Sequence, residues 1–432
     1  MSKLLGRPSG SRLQPEWNRE NGNGYALPVP ACGRLPRILV LSVSVGHGHL
    51  RAAEAIELAV RRLLPDAYVR SIDVLSLSTA VFRHCYGQMY LNLIGQAPQV
   101  IGFIYNLMDQ PVQLKHSRWE RLRVSLEKMS MRPFVRLLTS EPWDLVIHTH
   151  FLPAEIVASL RRQGRISTPH VMVITDFETH RMWINQPCEH YFTATAEAAL
   201  YLECFGVPRR DVTPVGIPIH PVFAEAKPRA ACLLRHGLKG DRPIVLQLAG
   251  GYGVGPLDTI YRALLDVEAP LEIVAVAGRN AKVKQRLEAV ATPPRHRVKV
   301  LGFTDQIDEL MAVADLVMTK PGGLTTSEAL ARGAGIVIVN PVPGQEERNS
   351  DYLLENGAAI KVNHIATLAH KVGALLADRD WLAGVKANAR RLARPRAAFD
   401  VVERSLALLP NGVRGQGSGV RGRRPPTPLP AG

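Results

Sequence analysis

A glycine loop that ends in a histidine is the first place where this chain has residues suited to acid–base chemistry. The run from Val45 to Ala55 (VGHGHLRAAEA) follows an apolar strand pattern and opens a helical one. Gly48 lets a ligand approach the backbone closely, and a helix N-terminus favours negative charge. His49 stands at the loop-to-helix junction, where an imidazole can accept a proton from an acceptor hydroxyl. A polar residue that caps the helix is the alternative.

His47 and His49 make a poor metal site, because no carboxylate or cysteine supports the pair.

Two further loops follow strand patterns in the second half of the chain. Leu248–Gly255 (LAGGYGVG) contains four glycines, among them Gly251 and Gly253, whose N–H groups can hold a phosphate. The alternative is a tight strand-to-helix turn. The next strand ends in VAGRN, where Arg279 suits a phosphate or a base and Asn280 follows it.

The most informative run extends from Ala314 to Gly333 (ADLVMTKPGGLTTSEALARG). It predicts a strand ending at Lys320, a turn through Gly322 and Gly323, and then a helix. In the functional interpretation, the amides of Gly323, Leu324 and Thr325 point at a diphosphate, and Glu328 binds both ribose hydroxyls. In the alternative, Thr325 to Glu328 form a capping box and the Glu328 carboxylate bonds back to the Thr325 N–H. Only the functional interpretation explains why the turn needs two glycines.

Two more strand-end loops carry polar side chains. Gln345 and Glu346, in the run NPVPGQEERN, are suited to binding sugar hydroxyls, although such a pair taken alone is usually part of a solvated loop. In the first half, Asp176 and His180 follow a strand in VITDFETHRMW. They either line an acceptor site or bind each other.

The elements that must position these loops form an α/β pattern. Short continuous apolar runs alternate with helical patterns, which indicates buried parallel strands joined by right-handed crossovers. The pattern restarts after a proline-rich connector at 216–230. We therefore predict two doubly wound, Rossmann-like domains facing each other across a cleft, with ligands at the carboxyl ends of the strands. The predicted boundaries are 35–220 for the first domain, 235–385 for the second, 386–408 for a C-terminal helix, and 1–34 and 411–432 for two disordered tails.

The charge of the chain indicates an anionic partner. The net charge of +15 suits nucleic acid, anionic lipid or an anionic small substrate. A basic stretch at 115–136 has an apolar face at helical spacing, which is typical of a helix that lies on an anionic membrane. A merely solvated helix face is the alternative. The candidate membrane-contacting residues are Arg118, Trp119, Arg121 and Arg123.

Other sequence features exclude several classes of protein. The apolar stretch at 91–108 is interrupted by polar residues and proline, so a spanning helix is not predicted. We see no secretory signal at the start of the sequence. The five cysteines are scattered, which argues against a disulfide framework or a zinc site and for a reducing compartment.

Taken together, the motifs resemble the glycosyltransferases that make monogalactosyl- and glucosyl-diacylglycerol, relatives of the peptidoglycan N-acetylglucosaminyltransferase. SVSVGHGHLRAAEA looks like the glycine loop of that family, and VITDFETHRMW resembles its acceptor-domain motif. GRN, GFTDQIDELMAVADLVMTKPGGLTTSEAL and PGQEERN resemble its donor-domain motifs in the same order. The likeness extends over roughly residues 37–404.

The resemblance implies a GT-B fold and inverting transfer of a hexose from UDP-glucose or UDP-galactose to diacylglycerol or a related lipid, without a metal or other cofactor. His49 corresponds to the histidine proposed as the general base of the family. Phe303 would lie near the uracil, Glu328 on the ribose, and Gln345 and Glu346 on the sugar. It also implies peripheral attachment to the cytoplasmic face of the membrane.

Alternatives remain open at this stage. Within enzymes, these are a UDP-sugar transferase with a non-lipid acceptor and a UDP-sugar epimerase. Outside them, the chain could be a sensor that binds UDP-sugar without turnover, or a nucleic-acid-binding protein. No nucleic-acid partner is expected, because the chain lacks interleaved aromatic residues and any recognised reading module.

Overall fold

The computed structural model describes residues 35–87, 118–248 and 257–409, together with isolated positions 99, 102, 103, 105, 107 and 109. Of residues 118–122 it describes the backbone alone. Gly251, Gly253, the two predicted tails and most of the stretch at 91–108 lie outside the described residues.

The first domain is a parallel six-stranded sheet with the strand order β2-β1-β3-β4-β5-β6. Its four central strands are almost entirely buried, as expected for a sheet covered by helices on both faces, whereas the two edge strands are partly exposed. The strands are β1 (Arg37–Ser42), β2 (Tyr68–Asp73), β3 (Leu145–His148), β4 (His170–Val173), β5 (His190–Thr193) and β6 (Val212–Pro214). The helices are α1 (His47–Leu63), α2 (Arg118–Ser130), α3 (Arg132–Ser140), α4 (Phe151–Arg162) and α5 (Ala196–Cys204).

The second domain repeats this architecture with the strand order β12-β11-β10-β7-β8-β9. Its strands are β7 (Ile244–Leu248), β8 (Glu272–Val276), β9 (Arg297–Leu301), β10 (Leu316–Thr319), β11 (Gly335–Val339) and β12 (Ala359–Val362). Its helices are α6 (Arg229–His236), α7 (Leu257–Leu265), α8 (Ala281–Glu288), α9 (Ile307–Val313), α10 (Gly323–Arg332), α11 (Gln345–Glu355), α12 (Leu368–Ala377) and α13 (Arg379–Leu392). The prediction of two doubly wound domains is confirmed.

The end of the described chain returns to the first domain. The single helix expected over 386–408 is instead divided between α13 and α14 (Ala397–Ala407). Pro395 explains the break, because proline cannot donate an N–H in a helix interior and disfavours helical backbone in the residue before it. Val385 and Ala389 of α13 pack in the second domain, whereas the apolar face of α14 packs in the first-domain core against α1 and the sheet.

The two domains touch directly across the cleft. Phe177 of the first domain stacks on Tyr352 of α11, with ring centroids 4.6 Å apart. The backbone N–H of Phe177 donates to Asn349 Oδ1 at 2.9 Å. Ala52 and Phe177 belong to the same buried apolar cluster as Leu324 and Leu353. The carboxyl ends of the two sheets are therefore held close together.

Candidate active site at the interdomain cleft

Three neighbouring strands of the first sheet bring the candidate base and its supports together. His49 follows β1, Thr149 follows β3 and Thr175 follows β4, and these strands are adjacent in the sheet. His49 Nδ1 lies 2.8 Å from the Thr149 carbonyl oxygen and 3.1 Å from Thr175 Oγ1. The Thr149 hydroxyl in turn donates to the carbonyl oxygen of His49 at 2.9 Å. Because a carbonyl can only accept, Nδ1 carries the proton and Nε2 is left with a lone pair.

The surroundings keep this imidazole neutral. The ring of His49 packs edge-on against His150 and lies near the buried Trp183. Burial lowers the pKa of His49 to about 4, although the hydrogen bond to Thr149 opposes the change. At neutral pH the side chain is therefore unprotonated and able to accept a proton.

The helix that carries His49 begins earlier than the sequence indicated. Its first residue is His47, so His49 lies within the first turn rather than at the junction, and the residue before the helix is Gly46, which has a positive φ of 89°. The interpretation of His49 as a helix cap is therefore wrong. A Cβ atom at Gly48 would lie 3.5 Å from Leu324 Cδ2, so this position faces the second domain.

Asp176 and His180 have separate surroundings. Asp176 accepts a hydrogen bond from Asn349 Nδ2 at 3.1 Å, and burial raises the pKa of its carboxyl group to about 6, with a smaller contribution from Glu346. His180 is completely buried. Its Nδ1 accepts from the Met182 N–H, and its Nε2 lies 2.8 Å from the Tyr105 carbonyl oxygen. The geometry thus places Asp176 at the cleft, but it does not support His180 as an acceptor-binding residue.

Glu328 pairs with a residue that sequence reasoning missed. Arg51 Nη2 of the first domain lies 2.5 Å from Glu328 Oε1, and the Glu328 side chain is almost completely buried. Burial raises the pKa of Glu328, and Arg51 opposes that effect. Arg51 is two residues beyond His49 in the same motif, but the sequence gives no sign that a partner 277 residues away would face it.

The capping-box interpretation of Thr325 to Glu328 is wrong. α10 begins at Gly323, with Gly322 before it, so Thr325 is the third residue of the helix. The first three N–H groups, those of Gly323, Leu324 and Thr325, lack intrahelical acceptors because of helix geometry. N–H groups of this kind at a helix N-terminus are suited to binding an anion such as a diphosphate, and that role stays a prediction.

The two glycines of this turn, Gly322 and Gly323, differ in how close neighbouring residues come to them. A Cβ atom at position 323 would lie 2.2 Å from the carbonyl oxygen of Thr175, a distance that no side chain tolerates. A Cβ atom at Gly322 would lie 4.0 Å from Glu346 Oε1. Gly323 is therefore required for the close approach of the two domains, and Gly322 lies beside the predicted sugar-binding carboxylate.

Glu346 and Gln345 open the neighbouring helix α11. Glu346 Oε1 lies 3.1 Å from Lys320 Nζ, and its Oε2 accepts from the Val342 N–H at 2.7 Å. Gln345 is the first residue of the helix. Because β10 and β11 are adjacent, the ends of these strands bring Glu346 and the start of α10 to the same part of the cleft.

An aromatic and cationic pair lies at the ends of β8 and β9. The Arg279 guanidinium stands 4.8 Å from the centroid of the Phe303 ring, and Phe303 is 64% exposed. An exposed aromatic face next to a cation offers a stacking surface for a nucleobase. Asn280 instead accepts from the Val283 N–H and caps α8, so a local structural role accounts for it.

The predicted basic helix at 115–136 is two helices, α2 and α3, with Pro133 at the start of α3. Arg123 pairs with Glu127 at 2.6 Å and with Glu155 at 2.5 Å, so two carboxylates offset its charge, contrary to its expected role at an anionic surface. Leu126 and Met129 of α2 are exposed, as that prediction requires. The side chains of Arg118, Trp119 and Arg121 lie outside the described residues.

In the described segments no helix combines the length and the apolar character that are needed to cross a membrane. Within those same segments, no three His, Cys, Asp or Glu side chains are grouped as metal ligands.

Comparisons with known proteins agree with this geometry. The family model for monogalactosyldiacylglycerol (MGDG) synthase matches residues 49–219, and that for glycosyl transferases group 1 matches residues 235–392. The processive diacylglycerol beta-glucosyltransferase of Bacillus cereus (strain AH820) is 30% identical over 378 residues, which cover 86% of this chain and 94% of that protein. The protein of the same name from Bacillus mycoides (strain KBAB4) is 30% identical over 374 residues, with the same coverage.

Solved structures show the same fold. MurG of Acinetobacter baumannii superposes with a TM-score of 0.58 at 17% identity, covering 86% of this chain and 100% of MurG. The calicheamicin glycosyltransferase CalG4 superposes with a TM-score of 0.55 at 16% identity, covering 87% and 99%. The fold is therefore GT-B, and the chain belongs to the diacylglycerol glycosyltransferase family.

Proposed function

We propose that this protein transfers glucose from UDP-glucose to the hydroxyl group of diacylglycerol, with inversion at the anomeric carbon. The relatives are named diacylglycerol beta-glucosyltransferases, and Anabaena HepE, which shares the fold, was solved in complex with UDP-glucose. The observation that carries the proposal is the position of His49. His49 is a neutral imidazole whose neighbours contact the second domain: Thr175, which lies 3.1 Å from His49 Nδ1, abuts Gly323 at the start of α10. Arg51, on the same helix as His49, pairs with the buried carboxylate of Glu328.

The first-domain residues supply the proton transfer. The lipid hydroxyl oxygen attacks the anomeric carbon from the face opposite to UDP, and His49 Nε2 takes the hydroxyl proton as the new C–O bond forms. The Nδ1–H of His49 continues to donate a hydrogen bond to the Thr149 carbonyl oxygen, and this hydrogen bond stabilises the imidazolium that forms. Positioned general bases of this kind contribute about 10²–10⁴-fold in rate.

The second-domain residues receive the leaving group. The bond between the anomeric carbon and the β-phosphate oxygen breaks, and UDP departs with the electron pair and the added negative charge. In the proposal, the free amides of Gly323, Leu324 and Thr325 stabilise that charge, since they are already oriented before the reaction begins.

The nucleoside and the sugar have separate recognition groups in this proposal. Glu328 accepts hydrogen bonds from the ribose hydroxyls, and Phe303 with Arg279 contacts the uracil. Gln345 and Glu346 bind hydroxyls of the hexose. The same set serves UDP-galactose as an alternative donor, because the two sugars differ in the orientation of one hydroxyl group.

The lipid acceptor requires access to a membrane surface. Phe103 and Leu107 in the first domain are 69% and 57% exposed, and Leu126 and Met129 of α2 are exposed as well. Exposed apolar side chains on a chain of net charge +15 support peripheral attachment to an anionic membrane, and we place this at the cytoplasmic face.

The direct test is to incubate the full-length chain with an equimolar mixture of UDP-glucose and UDP-galactose and with vesicles that contain diacylglycerol and anionic lipid. We expect glucosyl-diacylglycerol, detected by mass and separated from the galactosyl lipid by chromatography. Vesicles without diacylglycerol are the matched control. An epimerised UDP-sugar with no glycolipid, or UDP binding without product, would contradict the proposal.

A further inference from the structure

A helical face of the first domain packs against the loop that opens α11. Gly102 and Tyr105 are helical and three residues apart, so they lie on the same side of their helical segment. Asp109, four residues further on, lies in the turn that follows. A Cβ atom at Gly102 would lie 2.9 Å from Pro343 Cβ, and a Cβ atom at Gly344 would lie 3.2 Å from Tyr105 Cγ. The first domain thus forms one wall of the loop that precedes Gln345 and Glu346.

The third contact of this face is an ion pair between the domains. Arg348 Nη1 donates to Asp109 Oδ2 at 2.8 Å, and both side chains are largely buried. The Arg348 guanidinium also stands 5.0 Å from the centroid of the Tyr105 ring. Arg348 is the fourth residue of α11, so it moves as one body with the first turn of that helix.

The first domain holds the Asp109 carboxylate in a defined orientation. Asp109 Oδ1 accepts from the Arg181 N–H at 3.0 Å and from the Tyr201 hydroxyl at 2.5 Å. The carbonyl oxygen of Tyr105 lies 2.8 Å from Nε2 of the buried His180. One oxygen of Asp109 is thus anchored within its own domain, and the other is presented to the second domain.

We propose that Asp109 and Arg348 are positioning residues that hold the first turn of α11, and with it Gln345 and Glu346, against the hexose of the donor. This inference rests on the proposed function, which places the hexose at that turn. Gly344, just before the helix, has a positive φ of 99°, which glycine adopts without strain, and its backbone N–H donates to Glu347 Oε2 at 3.1 Å. The Asp109–Arg348 pair adds a contact from the first domain to these local ones. The pair acts through the sugar-binding residues, because Asp109 contacts the helix at Arg348, in the same turn as Gln345 and Glu346.

The Asp109–Arg348 pair should affect recognition of the hexose and binding of UDP differently. UDP without its sugar binds at α10 and Glu328, which the Asp109–Arg348 pair does not touch. Loss of the pair should therefore weaken recognition of the hexose and leave UDP affinity unchanged. A general loss of fold or of domain closure would change both.

The experiment uses the full-length chain with diacylglycerol vesicles and the variants Asp109→Asn, Arg348→Gln and the double variant. Asparagine at 109 keeps the Oδ1 acceptor for Arg181 and Tyr201 and removes the charge that faces Arg348. Glu178→Gln is the matched control, because Glu178 is a more exposed carboxylate 3.9 Å from the Arg348 Nε. The dissociation constant for UDP, kcat and KM for UDP-glucose, and the melting temperature are measured for each.

We expect each single variant to lower kcat/KM for UDP-glucose by about tenfold, as for loss of a largely buried charged hydrogen bond. The double variant should be no worse than the singles, because the residues act as a pair. UDP affinity should stay within twofold of the parent, and Glu178→Gln should have a much smaller effect. If Asp109→Asn does not fold, Arg348→Gln on α11 provides the same comparison.

Additive effects of the two substitutions, a parallel loss of UDP affinity, or an equal effect of Glu178→Gln would overturn the positioning role. These outcomes differ from a failure of the proposed function. In that case the parent chain itself would yield no glycolipid, or Glu346→Gln would leave its turnover of UDP-glucose unchanged.

Discussion

The two sides of the cleft hold their key side chains by different means. On the first-domain side, His49 is held by a backbone carbonyl and by hydroxyl groups, and burial keeps it neutral. On the second-domain side, the two carboxylates with predicted ligand roles are each paired with a cation, Glu328 with Arg51 and Glu346 with Lys320.

The difference fits the roles that we propose for these groups. A general base has to keep a free lone pair, so its support must fix the ring without supplying a competing proton to Nε2. A carboxylate that binds hydroxyl groups has to stay ionised in a buried place, and a nearby cation offsets the cost of burying its charge.

Among the substitutions that test this comparison, His49→Ala should have the largest effect on activity. Removing the base should lower kcat by about 10²–10⁴-fold, whereas the dissociation constant for UDP, measured by calorimetry, should not change. His49→Gln keeps a donor for the Thr149 carbonyl but has no basic nitrogen, so it should lose as much activity as alanine. Substantial turnover in either variant would remove His49 from the mechanism.

Gly323→Ala tests whether the two sides must meet closely. The new Cβ would lie 2.2 Å from the carbonyl oxygen of Thr175. The hydroxyl group of the same threonine contacts His49. Displacement of the domains by about 1 Å can cost about 10²-fold in rate, and we expect a loss of that order in kcat. Gly373→Ala is the matched control, since its Cβ would meet nothing within 4 Å. Equal activity of both variants would show that the closed arrangement is not required.

Asp176→Asn extends the comparison to a carboxyl group of the first domain, which accepts a hydrogen bond from the amide of Asn349 and not from a cation. Its pKa is raised to about 6, so its stabilising contribution is present below its unfolded pKa near 3.8 and is lost as the pH rises through 6. Asparagine should therefore stabilise the chain by about 3 kcal/mol at pH 8 and by almost nothing at pH 3.

Urea unfolding of both proteins at the two pH values measures that difference. Turnover of Asp176→Asn should fall if the carboxylate contacts the acceptor, which is the functional interpretation of its position after a strand. A variant that is less stable than the parent at pH 8 would contradict the assigned protonation behaviour of Asp176.

The smallest expected effect is that of Glu328→Gln. The amide keeps one acceptor but loses the charge, and we expect UDP to bind about tenfold more weakly. In Arg51→Gln the carboxylate remains without its cation, so the pKa of Glu328 should rise further. UDP affinity in that variant should then decline as the pH falls, beginning closer to neutrality than in the parent. A pH-independent UDP affinity in Arg51→Gln would show that Arg51 does not keep Glu328 ionised.

Local features of the fold were predictable where the signal lies within one element. Continuous apolar runs identified the buried strands, and the connector at 216–230 separated the domains. The capping box failed because Thr325 and Glu328 have the right spacing at the wrong position, two residues inside the helix. His180 was misjudged because its burial depends on residues from other segments, such as Tyr105.

The amino-acid sequence alone was enough to predict the fold class, the family and the placement of His49, Glu328 and Glu346 in the segments that follow strands, since all of these depend on local patterns and their order. Only the tertiary structure decided which side chains meet across the cleft. Arg51 and Glu328 are 277 residues apart, and Asp109 and Arg348 are 239 apart. No periodicity encodes such pairs, because they arise only when two separately folded sheets approach within contact distance.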